Sequence, residues 1–160
     1  MHEGSPKNDG TAIATRDLLK RIGMLTSGEE PHRSNPLSDP PAFRELASRL
    51  ARIVDEPYDL IVVRDLFGDR VLGYQLALIS GTPVTVSYDQ EGIIVLGGGS
   101  PVEQESRALI AADTHLTTQS IQAAASGVEQ AGVEVVGVAL LLQAVRGEYP
   151  FPVWALERYD

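Results

Sequence analysis

Residues 108–125 read ALIAADTHLTTQSIQAAA, and their reading decides the fold. Five apolar residues run straight into Asp113 and a cluster of hydroxyls, and a small-residue run follows. A short continuous apolar run is the mark of a strand buried on both faces. The run after the polar loop predicts a helix from Thr117 to Ala131, ended by Gly132. Strand, polar loop and helix is the order in which α/β proteins present a helix N-terminus to a phosphate. Loops of that kind usually use glycine, and residues 113–119 contain none.

The same alternation extends outward. DLIVV (59–63) predicts a second buried strand, RDLFGDR (64–70) a turn, and VLGYQLALISG (71–81) a helix closed by Gly81. PVTVS (83–87) and IIVL (93–96) read as strands, then GGGSP as a flexible link, either a mobile lid or a plain connection. VEVVGVALLLQ (133–143) is a long apolar strand. The tail YPFPVWALERYD is proline-broken and aromatic, either a last edge strand or a packed extension. Upstream, Ser38-Asp39-Pro40-Pro41 is a helix start, and AFRELASRLARIV places Phe43, Leu46, Ala47, Leu50 and Ile53 on one face. TRDLLKRIGM predicts a short amphipathic helix ended by Gly23. Residues 1–14 are expected to be a disordered tail and 15–160 one domain. The pattern predicts an α/β fold: a mostly parallel central sheet flanked by helices, with a small N-terminal helical cap. Ligands in such folds sit beyond the carboxyl ends of the strands, here the loops 64–70, 88–91 and 113–119.

Composition narrows the function. The net charge is −9, which argues against nucleic acid as a partner. Between Val71 and Val145 the only lysine or arginine is Arg107, against seven acids. No apolar run reaches the ~20 residues that span a bilayer, so no membrane association is expected. The chain has no cysteine and no apolar leader in MHEGSPKNDG, which fits a cytoplasmic location. His2, His32 and His115 are scattered, and no metal site is expected.

Residues 108–143 resemble the signature region of the type I phosphoribosyltransferases. There a hydrophobic strand leads to two acids, a Thr/Gly-rich loop, a helix, an Ala-Gly turn and a valine-rich strand. LLKRIGML, SDPPAFRELASRLARIV, DLIVV and GYQLALISGTPVTV follow the order and rough spacing of the orotate phosphoribosyltransferases. The resemblance implies the phosphoribosyltransferase-like fold, a homodimer and a cleft for phosphoribosyl pyrophosphate (PRPP). It places the second ribose-binding acid, the catalytic candidate, at Asp113, while Ala112 stands where the first would be. Phosphate and ribose contacts fall on Thr114, His115, Thr117, Thr118, Gln119 and Ser120. Both loop glycines of the pattern are replaced, by Thr118 and Gln119. The pyrophosphate-side loop falls on Arg64, Asp65, Gly68 and Arg70.

A second departure is electrostatic. The orotate enzymes carry arginine and lysines after the strand matching PVTVS. The matching stretch here, SYDQEGIIVLGGGSPVEQES, has no basic residue and four acids. Phosphoryl chemistry relies on cations aimed at developing charge. Standard PRPP-dependent transfer is therefore expected to be impaired or lost, leaving a ligand-binding or regulatory protein for a phosphate or nucleotide. The alternative is an active transferase of nucleotide synthesis or salvage, with Mg²⁺, Arg64 and Arg70 replacing the lost cations.

Overall fold

The computed structural model describes residues 13–28, 30–98, 101–114 and 117–159. Its elements are α1 (Thr15–Arg21), α2 (Pro40–Ile53), β1 (Leu60–Arg64), α3 (Phe67–Ser80), β2 (Val84–Gln90), β3 (Ile93–Gly97), β4 (Arg107–Thr114), α4 (Thr118–Gln130), β5 (Glu134–Gln143) and β6 (Val153–Arg158). The six strands form one sheet in the order β3-β2-β1-β4-β5-β6. All neighbours are parallel except β2 and β3. That pair is a hairpin closed by Glu91 and Gly92, both at positive φ (54° and 86°), the conformation of a two-residue primed turn.

Each central strand feeds two cores. Ile61 and Val63 of β1 face one side with Leu109 and Ala111 of β4, against Leu18, Phe43, Leu46, Leu50, Leu72 and Leu76 of α1, α2 and α3. Leu60 and Val62 face the other side with Ala108, Ile110 and Ala112, against Ile121, Ala124, Ala125 and Val128 of α4. This double burial is why β1 and β4 read as unbroken apolar runs. Each fully buried Leu, Ile or Val contributes roughly 1.5–3 kcal/mol. The N-terminal helices lie on the α3 side. Asp39 caps α2 by accepting from the Ala42 N–H at 3.1 Å, ahead of prolines whose missing donors cost nothing there.

One sequence expectation changes. RDLFGDR is not a turn throughout: α3 starts at Phe67, four residues before the expected Val71, with Leu66 extended before it. Gly68 and Arg70 therefore sit in the first helical turn, and only Asp65 and Leu66 separate β1 from α3. The aromatic tail is an edge strand, β6, parallel to β5. The connection 144–152 carries Tyr149 and Phe151 against the α4 side of the core. Gly97 ends β3, so the GGGSP stretch begins at the end of that strand. Gly99 and Ser100 lie outside the described residues, as do residues 1–12 of the expected tail.

Candidate functional site

The carboxyl ends of β1 and β4 meet the first turns of α3 and α4. Arg64, the last residue of β1, is the hub, and it is buried. Its Nε donates to Asp69 Oδ2 at 2.7 Å, and Nη2 donates to Asp69 Oδ1 and to the Thr114 carbonyl. Its Nη1 donates to Ser120 Oγ at 3.3 Å. These bonds occupy four of the five guanidinium N–H groups. One side chain thus ties β1, α3, β4 and the N-terminus of α4 together.

Asp69 is fully buried, and its Oδ1 also accepts from the Asp113 N–H at 3.0 Å. Burial pushes its carboxyl up to about 7; Arg64 pulls it down and the charge of Asp113 adds to the rise. Asp113 is buried too, at 2% exposure. Its Oδ2 accepts from both the N–H and the hydroxyl of Ser34, at 2.9 and 2.7 Å, and Oδ1 accepts from the Thr114 N–H at 2.6 Å. Gly68 lies against this cluster: a Cβ there would stand 2.3 Å from Ser34 Oγ and 2.4 Å from Asp113 Oδ2. The glycine is set by close approach, with a helical φ that any residue could adopt.

At the head of α4, Thr117 is the N-cap and accepts from the Ser120 N–H at 3.3 Å. Ser120 Oγ donates back to the Thr117 carbonyl at 2.9 Å. Thr118 and Gln119 occupy the first turn, Gln119 exposed and Thr118 half-buried. Thr114 is buried, and its hydroxyl oxygen has no partner among the described residues. His115 lies outside the described residues.

Arg70 and Asp65 repeat the five-residue spacing of Arg64 and Asp69, on the surface. Arg70 bonds Asp65 at 2.6 and 3.0 Å and the Tyr88 hydroxyl at 3.0 Å, with its guanidinium over the Tyr88 ring at 5.7 Å. The two arginines of the expected pyrophosphate loop are thus each matched to a local carboxylate.

The cleft beside this network has a volume of about 340 Å³ and is lined by Arg64, Asp65, Ser87, Asp89, Ser120 and Ile94, among others. Asp89 accepts from the Gly92 N–H at 2.8 Å and steadies the hairpin. A larger cavity, about 700 Å³, lies beside β5 and β6, with Gln143, Arg146, Tyr149, Phe151, Arg158 and Tyr159 in its wall. Tyr149 and Phe151 stack there at 5.6 Å. Gly147 of the same wall packs on the Thr118 methyl, so the first turn of α4 lies behind that wall.

No family model matches the chain. Solved structures do. Orotate phosphoribosyltransferase from Mycobacterium tuberculosis H37Rv, in complex with inorganic phosphate, superposes with a TM-score of 0.72 at 18% identity, over 90% of this chain and 86% of that one. Adenine phosphoribosyltransferase from Rhodothermus marinus DSM 4252 gives 0.66 at 22%, over 91% and 98%. Leishmania donovani UMP synthase gives 0.71 at 17%; the match covers 91% of this chain but only 36% of that protein. The fold is that of the type I phosphoribosyltransferases.

Within the phosphoribosyltransferase fold, Asp113, Thr114, Thr117, Ser120 and Arg64 are joined in one hydrogen-bonded network, of which Arg64 and Ser120 line the cleft. Asp65 and Arg70 pair on its outer side, and Gly68 lies behind Asp113. Sequence reading missed Asp69 and Ser34. Asp69 carried a signal in RDLFGDR, where Arg64-Asp65 and Asp69-Arg70 flank Leu66, Phe67 and Gly68. Ser34 carried none, since it lies 79 residues from Asp113. Magnesium, which the resemblance implies for an active transferase, is held through one or two carboxylates with water and substrate phosphates. All four oxygens of Asp69 and Asp113 already accept protein hydrogen bonds. Among the described residues no three His, Asp or Glu are grouped to hold a metal. Buried and each already accepting three protein hydrogen bonds, Asp69 and Asp113 are poorly placed to hold a divalent cation.

Proposed function

We propose that this chain is a phosphoribosyltransferase-fold protein that binds a small phosphorylated ligand, of nucleotide type, and does not carry out efficient PRPP-dependent transfer. The supporting observation is the internal pairing of the cleft's charges. Arg64 is paired with Asp69 and Arg70 with Asp65, and Asp113 is hydrogen-bonded by Ser34. PRPP brings three phosphoryl groups, and each needs a cation or a backbone nest. A monoester asks for less: the N-terminus of α4 and the one Arg64 N–H with no acceptor among the described residues form a single-anion site, beside the Ser120 hydroxyl that now donates to the Thr117 carbonyl. The stacked Tyr149 and Phe151, with Arg146 and Arg158, offer a flat surface for a ring on the other side of that turn. Calorimetry tests this reading. Nucleoside monophosphates bind, and PRPP with Mg²⁺ and a base gives no pyrophosphate above background. Steady pyrophosphate release would overturn it.

We also propose that residues 15–160 act as one unit and that the unit pairs with a second copy. Arg16 bonds Glu157 at 3.1 Å and Trp154 bonds Asp55 at 2.9 Å, joining the N-terminal helices to the last strand. Phe67, Tyr74 and Leu78 of α3 are exposed at 56%, 61% and 63%, and with Val71 they form a stripe at 4-3-4 spacing. About a two-fold axis such a stripe is self-complementary, Phe67 meeting Leu78 and Val71 meeting Tyr74.

A further inference from the structure

We propose that Asp69 is an internal counter-anion that competes with the ligand for Arg64, so that an oxoanion entering the cleft beside Ser120 is bound together with one proton. The inference rests on the anion-binding reading above and adds its regulation.

The geometry supplies the competition. Arg64 lines the cleft and is also the sole cation hydrogen-bonded to Asp69 among the described residues. Four of its five N–H groups are engaged, three of them on Asp69 and the Thr114 carbonyl behind it. An oxoanion gripping the end of the guanidinium takes the N–H groups now on Ser120 and the Thr114 carbonyl, and shares the single positive charge with Asp69. The Asp69 carboxylate then shares its one compensating cation with a second anion in a buried site, and the added negative charge favours its neutral form. The proton goes onto a carboxyl oxygen of Asp69 and leaves when the anion leaves. No covalent bond changes.

Every charged group facing Asp69 pushes the same way or is already committed. From β1 there is Arg64, the partner in question. From β4 there is Asp113, whose charge opposes ionisation of Asp69. Ser34 and Ser120 bring only hydroxyls. Burial sets the Asp69 carboxyl at about 7 before any ligand arrives, so the proton is available near neutral pH. Asp65, on the outer wall, is held by Arg70.

The test uses the intact chain and sulfate, whose charge is fixed over the range. Calorimetry at pH 6 to 9, in two buffers of different ionisation heat, reads affinity and proton uptake together. The expected result is a plateau below about pH 7 and a fall of up to about tenfold per pH unit above it, with close to one proton taken up. Asp69→Asn removes the titration and leaves binding flat with pH, and Arg64→Gln abolishes it. Sulfate binding by the wild type that is flat in pH and releases no buffer heat overturns the coupling while leaving the anion site standing. The same holds if the pH dependence survives in Asp69→Asn. No sulfate or inorganic phosphate binding by either protein at any pH overturns the anion site itself, and the coupling with it. If Asp69→Asn does not fold, the two-buffer measurement on the wild type decides alone.

Discussion

Replacing Gly68 by alanine separates two accounts of the same residue. By local propensity alone the change helps: Gly68 sits in the first turn of α3, and alanine is favoured over glycine in a helix by about 0.8–1 kcal/mol. The structure says otherwise. The new methyl would stand 2.3 Å from Ser34 Oγ and 2.4 Å from Asp113 Oδ2, far inside contact distance. Ser34 must retreat, because Asp113 is fixed from behind by the Thr114 N–H. Overpacking costs about 1–3 kcal/mol. Loss of a hydroxyl bond to a buried carboxylate adds about 1.5–3 kcal/mol. Against the propensity gain, the net is a destabilisation of about 3 kcal/mol. For a chain of this length that lowers Tm by about 6–12 °C. Urea and thermal unfolding of the two proteins measure it. A Gly68→Ala protein as stable as the wild type, or more so, would show that the Ser34–Asp113 contact does not constrain α3.

Other expectations are simpler. Asp69 has its folded-state carboxyl raised from 3.8 to about 7, so its contribution to stability is present below pH ~4 and is lost as pH rises through about 7. The loss is about 4 kcal/mol across that window, and unfolding free energies of Asp69→Asn lack this part of the slope. Asp39→Ala removes the α2 cap and costs about 1 kcal/mol by urea unfolding, with no effect on sulfate binding. Thr117→Ala costs a similar amount at α4 and also weakens anion binding, which calorimetry separates from the Asp39 result. Leu78→Glu places a charge on the α3 stripe; light scattering then reports a monomer where the wild type is a dimer, and a monomeric wild type would remove the stripe's proposed role.

Much of the fold was legible because burial on both faces leaves a plain mark. DLIVV and ALIAA cannot alternate when each residue meets a helix layer, so an unbroken apolar run between turn signals identifies β1 and β4. The Asp-Pro-Pro start of α2 is equally local. RDLFGDR misled for the opposite reason. Its glycine is a turn signal by local rules, but here it answers a contact with Ser34 and Asp113, neither near it in sequence. The deficit of cations was readable from composition. What composition could not give is that Arg64 and Arg70 are each turned onto a carboxylate five residues away, Asp69 after the one and Asp65 before the other, since that depends on where α3 begins. Asp113 is a similar case: its identity fits a ribose-binding acid, and its partners are known only once the loop bearing Ser34 is placed beside it.

The most direct measurement is a titration of the purified chain with PRPP and Mg²⁺, followed by an assay for pyrophosphate with orotate and with purine bases. The internal pairing of Arg64, Arg70 and Asp113 predicts no saturation below millimolar PRPP and no pyrophosphate above the uncatalysed rate. Micromolar PRPP binding with turnover that disappears in Arg64→Gln would contradict it.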